Sequence, residues 1–322
     1  MGTLLPVSVL DIAPVEQGAS AADALATTLA LARHAEALGC NRLWVAEHHN
    51  APSIASSSPA VILAVLGAVT SRIRLGSGGV LLLNHSPLVV AEQFGTLNAF
   101  YPGRFDLGIG RAPGGDSRAA QALRRVPDER FSAELADLTR LLAGDFPGVT
   151  AVPRYAGSPQ MWLLGSGTGS ARLAAALGLP FAFAHHFKPE NTVDAVAIYR
   201  REFKSGTIQE PYVMVCVQAV CAEDDQRARM LADPGQLSVL RFPHQPQLTV
   251  EQAQAHEWTP EDRAWASGRQ ALQAIGGPET VRDRLTDIIE TVTPDELMIT
   301  NVIANEKARL DSLTRVRELF PG

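Results

Sequence analysis

Residues 73–110 read IRLGSGGVLLLNHSPLVVAEQFGTLNAFYPGRFDLGIG. Two apolar runs, 73–81 and 105–109, bracket a helical pattern near 87–100, which makes one βα unit followed by the next strand. The same alternation extends in both directions. Further strands are expected at 5–10, 42–46, 161–164, 181–184, 212–220 and 296–301. Helical patterns lie near 21–38, 58–70, 128–143, 170–177, 189–204, 224–232 with 278–291, and 304–319. Strand cores such as LWVA, FAFA and VMVCVQAV are apolar on both sides instead of alternating, as in a parallel sheet covered on both faces. Eight such units predict a closed α/β barrel of the TIM (β/α)8 type rather than an open doubly wound sheet.

The composition agrees with one body of this size. The chain has 322 residues, of which 46% are hydrophobic and 19% charged, and no Gly/Ser linker or charge run divides it. A single barrel domain over 1–322 is therefore expected. Its one irregularity is 234–277, a long insertion after strand seven that carries Pro243, Pro246 and Pro260 and reads as a mobile lid. The helix near 58–70, with PAVILAVLGAVT at 59–70, is apolar nearly all round. One face should meet the barrel and the other a second subunit.

Several function classes drop out. No apolar stretch approaches the ~18 residues of a membrane helix, and the start lacks a signal-peptide pattern, so a cytoplasmic protein without membrane contact is expected. A formal net charge of −6 argues against a nucleic-acid partner. Cys40, Cys216 and Cys221 form no CxxC and read as buried thiols rather than a disulfide frame or zinc site. A small organic ligand is the expected partner.

In a βα barrel the chemistry sits just after the strands. Four predicted strand ends carry polar clusters: Glu47-His48-His49, Asn84-His85-Ser86-Pro87, Gly108-Ile109-Gly110-Arg111 and His185-His186. Five of the eight histidines thus fall at one rim, where imidazole can serve as acid, base or donor near neutral pH. The fifth strand runs into LGSGTGSA (164–171) and then a helix, so Ser166, Gly167 and Ser170 surround a helix N-terminus suited to a phosphate, with Arg111 nearby. A Rossmann fingerprint is disfavoured, because the next strand ends in histidines rather than in an acid for a ribose. Adjacent histidines point to opposite sides of an extended chain, and no HxH is present, so no metal site is expected. Ser77-Gly78-Gly79 inside a bulky strand marks a close approach, with room for a ring system. Trp44, Phe183, Phe187 and Trp258 are the aromatics available to line a pocket.

With these residues in view, the chain resembles the bacterial luciferase-like flavin-dependent monooxygenases. The resemblance is carried by WVAEHHN (44–50), the 73–115 block, LLGSGTGSARLAAALGLPFAFAHHF (163–187) and GGPETVRDRL (276–285). It implies a TIM barrel that binds reduced FMN and uses O2 to oxygenate an organic substrate, either a long-chain aldehyde or an aromatic or polyketide natural product. By position, His48 corresponds to the family's catalytic histidine, with His49 and His186 completing the candidate acid–base set. Arg111, Ser166, Gly167 and Ser170 correspond to the phosphate binders. Gly78-Gly79 falls where the family has a non-prolyl cis peptide beneath the flavin. Glu92 sits at the family's subunit contact, so a homodimer is implied. No part of the chain is left over to bind NAD(P)H, so a separate flavin reductase is the implied partner. Gly110 stands where luciferase proper has a reactive cysteine, and Leu83 where many relatives have proline. The deazaflavin F420 is the alternative cofactor, and a non-catalytic flavin-binding protein on the same fold is the alternative function.

Overall fold

The computed structural model describes residues 5–154, 159–241, 245–303 and 305–320, without the side chain of Arg241. Pro243 of the insertion and the first residue of the 304–319 pattern lie outside the described residues. The strands are β1 (Val7–Asp11), β2 (Arg42–Val45), β3 (Arg74–Ser77), β4 (Val80–Leu81), β5 (Phe105–Gly110), β6 (Gln160–Gly165), β7 (Phe181–Phe183), β8 (Val213–Cys221), β9 (Ala274–Gly276) and β10 (Glu296–Thr300). The helices are α1 (Ala21–Ala37), α2 (Pro59–Val69), α3 (Pro87–Phe100), α4 (Ser117–Ala122), α5 (Phe131–Ala143), α6 (Thr168–Leu177), α7 (Thr192–Glu202), α8 (Asp225–Arg241), α9 (Val250–Ala255), α10 (Pro260–Ala271), α11 (Pro278–Val292) and α12 (Glu306–Leu319).

All the sheet pairings are parallel, and β10 bonds both β1 and β8, which closes the ring. The ring has eight staves, because β3 and β4 are one strand broken at Gly78-Gly79, a cis peptide. The fold is therefore a closed eight-stranded parallel barrel sheathed by helices, a TIM barrel. β9 stands outside the ring and pairs with the end of β8, Ala219 opposite Ala274.

Alternation along the strands sorts the side chains into two cores. Leu10, Trp44, Ala46, Trp162, Ala182, Met214, Cys216 and Met298 fill the lumen, and Trp44 meets Trp162 edge-on at 5.3 Å. Their neighbours in sequence, such as Leu43, Leu163, Phe183 and Val215, pack outward under the helices. Trp44 and Phe183 are thus core residues, at 1% and 0% exposure, and do not line a pocket. All three cysteines are buried, as expected.

The N-terminal end of the barrel is plugged by buried charge. Arg42 donates to Asp106 at 2.9 Å and to Glu296 at 2.9 and 3.0 Å. Arg74 also donates to Asp106, and Ser8 and Tyr212 donate to Glu296. Polar groups at this end of a TIM barrel serve stability rather than catalysis.

The insertion differs from the loop expected of it. α8 runs through Pro234 to Arg241, and α9, α10 and β9 follow. Pro234 removes one ladder hydrogen bond, yet the helix continues because Ala228, Leu231 and Ala232 pack in one apolar cluster and Leu237 joins Leu248 and Ala253 in another. Gln247 ties the segment to the β1–α1 loop, where its backbone N–H donates to Val15 O at 2.8 Å and its carbonyl accepts from Gln17 at 2.6 Å. Among the described residues, no helix is long and apolar enough to cross a membrane.

Candidate active site

The C-terminal mouth of the barrel collects the candidate residues in ring order. β2 leads to Glu47-His48-His49, β3 and β4 carry Gly78-Gly79, β5 leads to Arg111, β6 to Ser166–Ser170 and β7 to His185-His186. β2 and β7 are four strands apart in the eight-strand ring, so His48 and His186 stand at opposite sides of the mouth.

On the β2 side, Trp44 and Ala46 face the lumen. Continuing the alternation sends His48 the same way and Glu47 and His49 to the other side. His48 is half-buried, and its backbone N–H donates to Ser56 O at 2.9 Å. Burial pushes its imidazole down to about 4, with Glu47 opposing and His49 reinforcing that shift. Glu47 is 3% exposed. Its Oε1 lies 2.8 Å from His49 Nε2 and 2.9 Å from His85 Nε2, and its Oε2 accepts from Leu81 N at 3.1 Å. Burial raises this carboxyl, but the hydrogen bonds from His49, His85 and Leu81, with the attraction of His85 whenever that ring is protonated, outweigh it, and the group is held below its ordinary value.

The polar atoms of Glu47, His49 and His85 lie within 4.8 Å of one another. The expectation of no metal rested on the adjacency of the histidines, and that reasoning does not cover this trio. Glu47 and His49 are two residues apart and share a side, while His85 arrives from the turn after β4. The three atoms are spent on one another as hydrogen bonds. The bond that joins Glu47 to His85, both already placed at the rim, is what the sequence reading missed, and the i,i+2 spacing of Glu47 and His49 is a signal for the other half of the cluster.

On the β7 side, His186 Nδ1 and its backbone N–H both lie 3.1 Å from Cys216 O. Burial pushes this imidazole down to about 4 as well. His185 turns away and bonds Thr192 Oγ1 through Nδ1 at 2.8 Å; burial lowers its value, against the opposing charge of Glu190.

Between these walls, β5 and β6 pair with Ile109 opposite Leu163, so Arg111 leaves its strand beside Gly165. Arg111 is exposed. The α6 N-cap is Gly167 in extended backbone, with no side-chain cap, so the first N–H groups of α6 have no intrahelical partner. A Cβ at Gly167 or Gly169 would meet nothing within 4 Å, whereas one at Gly165 would collide with Ser170 Oγ. Ser170 Oγ donates to Gly167 O at 2.8 Å, and Asn191 Nδ2 donates to Ser166 O at 3.2 Å. Arg111 and the Ser166–Ser170 turn therefore follow adjacent strands, β5 and β6.

The room expected at Gly78-Gly79 is occupied. A Cβ at Gly78 would strike Leu10 Cδ1 at 2.5 Å, and one at Gly79 the Gly108 carbonyl oxygen at 2.8 Å. The glycines let the barrel's own atoms close up, so a ring could lie only against their peptide backbone. Beyond β7, Gln218 on β8 faces inward above Cys216 and sits opposite Thr300. Gln273 Nε2 donates to Gln218 at 2.9 Å and Gln236 Nε2 to Gln273 at 3.0 Å, a buried amide chain from the mouth to the insertion.

Against known proteins, residues 6–294 match the luciferase-like monooxygenase family. The chain belongs to that family. A luciferase-like monooxygenase of Escherichia coli K12 is 42% identical over 314 residues, covering 95% of this chain and 94% of the relative. The crystal structure of apo-MsnO8 superposes on this luciferase-like chain with a TM-score of 0.91 at 35% identity, covering 98% of each. More distant structures share the fold alone. One is the oxygenating constituent of 3,6-diketocamphane monooxygenase of Pseudomonas putida with FMN (16% identical, TM-score 0.75, covering 99% of this chain and 98% of that one). Another is an F420-dependent secondary alcohol dehydrogenase with an F420–acetone adduct (14%, TM-score 0.71, covering 99% and 100%).

Proposed function

We propose that this chain is an FMN-dependent monooxygenase that takes reduced FMN from a separate flavin reductase and uses O2 to oxygenate a small organic substrate of the long-chain aldehyde or aromatic and polyketide classes. The observation that carries this reading is the pairing of Arg111 with the uncapped N-terminus of α6 at adjacent strand ends. Guanidinium, free backbone N–H groups and the Ser166 hydroxyl are all donors, and a phosphate dianion wants donors only. The donor set therefore fits the phosphate end of FMN. Arg111, Ser166, Gly167 and, through its backbone N–H because its hydroxyl donates to Gly167 O, Ser170 would hold that end, with the Gly78-Gly79 backbone as the surface for the ring. When bound, reduced FMN supplies the electrons that activate O2.

The chain's own residues do the rest. His48, kept neutral by burial, accepts or relays a proton at the mouth, the work of an acid–base group. His186 faces it with one nitrogen fixed on Cys216 O. Residues 245–276, anchored through Gln247 to the β1–α1 loop, are assigned the role of covering the mouth and excluding water. A cytoplasmic homodimer is part of the same reading. Val61 and Val65 of α2 are 65% and 48% exposed and Val89 and Phe100 of α3 are 46% and 72% exposed, an apolar surface on the two helices assigned to the subunit contact.

Equilibrium titration with FMN, riboflavin and F420 tests the assignment. FMN is expected to bind at least tenfold more tightly than riboflavin. Tighter binding of F420 than of FMN would replace this reading with a deazaflavin oxidoreductase.

A further inference from the structure

We propose that Glu47 is a positioning residue that locks His49 and His85 in one tautomer, each with its proton on Nε2 and its lone pair on Nδ1. An ionised carboxylate only accepts hydrogen bonds. Both rings meet it through Nε2, at 2.8 and 2.9 Å, on the same oxygen. Its second oxygen is taken by the backbone N–H of Leu81 at 3.1 Å, and Asn84 Nδ2 stands 3.4 Å from the first. These four partners all present donors to the carboxylate, and the group stays below its ordinary value despite its burial. A ring that spends Nε2 as donor keeps Nδ1 as its acceptor. The side chains of His49 and His85 remain 16% and 27% exposed.

The lock fixes what the two rings offer to a group that reaches them on the side of β2 away from the lumen. Two Nδ1 acceptors bind a group that carries O–H or N–H and can take its proton, while the opposite tautomers would present N–H to it. A carboxylate fixing the tautomer of a catalytic imidazole is the role of the acid in a Ser-His-Asp triad; here one carboxylate serves two rings from neighbouring strands. This inference deepens the monooxygenase reading, on which its catalytic meaning rests, and adds Glu47 and His85 to the site.

The test uses flavin-free protein carrying 15N-histidine at about pH 8, above the ordinary imidazole range. Long-range proton–nitrogen correlation reports which ring nitrogen carries hydrogen, His49→Gln and His85→Gln assign the signals, and His34, bonded to Thr314 on the far side of α1, is the internal control. Wild-type protein is expected to show His49 and His85 both as Nε2–H. In Glu47→Gln an amide cannot accept on both sides. Its oxygen stays with the backbone-fixed Leu81 N–H and its NH2 turns to the rings, so at least one ring is expected to switch to Nδ1–H while His34 is unchanged. Either ring found as Nδ1–H in wild type, or both rings unchanged in Glu47→Gln, would overturn the proposal. The wild-type spectrum needs no variant to fold. Because no flavin is present, failure of FMN to bind would sink the monooxygenase reading and leave this result standing.

Discussion

His186 holds its Nδ1 3.1 Å from the carbonyl oxygen of Cys216, the residue that faces the lumen on the next strand. A carbonyl only accepts, so Nδ1 carries the proton and Nε2 is the acceptor. Burial holds this ring, like His48, neutral down to about 4. In the unfolded chain both rings titrate near 6.5. Between about 6.5 and 4 the unfolded state therefore binds more protons than the folded one, and stability rises with pH across that window. Unfolding free energy from urea titration is expected to be flat above about pH 7 and to fall toward pH 4, by about 3 kcal/mol per ring at most. His186→Gln should flatten part of that slope; an unchanged slope would show that the ring is charged in the folded state.

At the opposite end of the barrel, Arg42 is, among the described residues, the one cation that touches both Asp106 and Glu296. Arg42→Ala leaves Glu296 without a cation and removes one of two from Asp106. The expected loss is about 3–5 kcal/mol, the range for breaking a buried pair. Thermal unfolding measures it, and flavin binding by the remaining folded protein should be unaffected.

Arg111 is assigned only to the phosphate. Arg111→Ala should weaken FMN by about 10- to 100-fold, from ~1.5–3 kcal/mol for a charged hydrogen bond, and leave riboflavin nearly unchanged. Fluorescence titration with both ligands checks this. Equal losses would move Arg111 out of the phosphate site.

The orientation of α2 sets the right variant for the subunit contact. Leu63 is wholly buried in the barrel's outer core, so a charge there would damage the fold rather than report on assembly. Val61 and Val65 point away. Val65→Glu should convert a sedimenting dimer to a monomer without loss of helix content, and wild-type protein that runs as a monomer at micromolar concentration would contradict the dimer.

The eight staves were legible because a parallel sheet buried on both faces leaves short apolar runs, and LWVA or FAFA cannot be read otherwise. The split of the third stave at Gly78-Gly79 was visible as glycines in a bulky strand, but what fills the space was not. Leu10 and the Gly108 carbonyl reach it from strands far away in sequence. α2 shows a similar limit: a helix apolar all round carries no periodicity to say which face is inside, so Leu63 and Val65 look alike in sequence. Pro234 signals a stop that the packing of Leu231 and Leu237 overrides. Glu47 was in view beside His48, yet its role depends on His85, 38 residues away across two strand ends.

Rapid mixing tests the central claim most directly. Protein loaded anaerobically with reduced FMN is mixed with oxygenated buffer in a stopped-flow spectrometer. The account predicts a flavin absorbance distinct from both reduced and oxidised FMN that outlasts the reaction of free FMN. In His48→Ala, FMN should bind as in wild type while oxygenated product falls by about 10²-fold, the usual reach of acid–base help. A single-step return to oxidised FMN at the rate of free flavin, in wild-type protein that has bound it, would contradict the monooxygenase assignment.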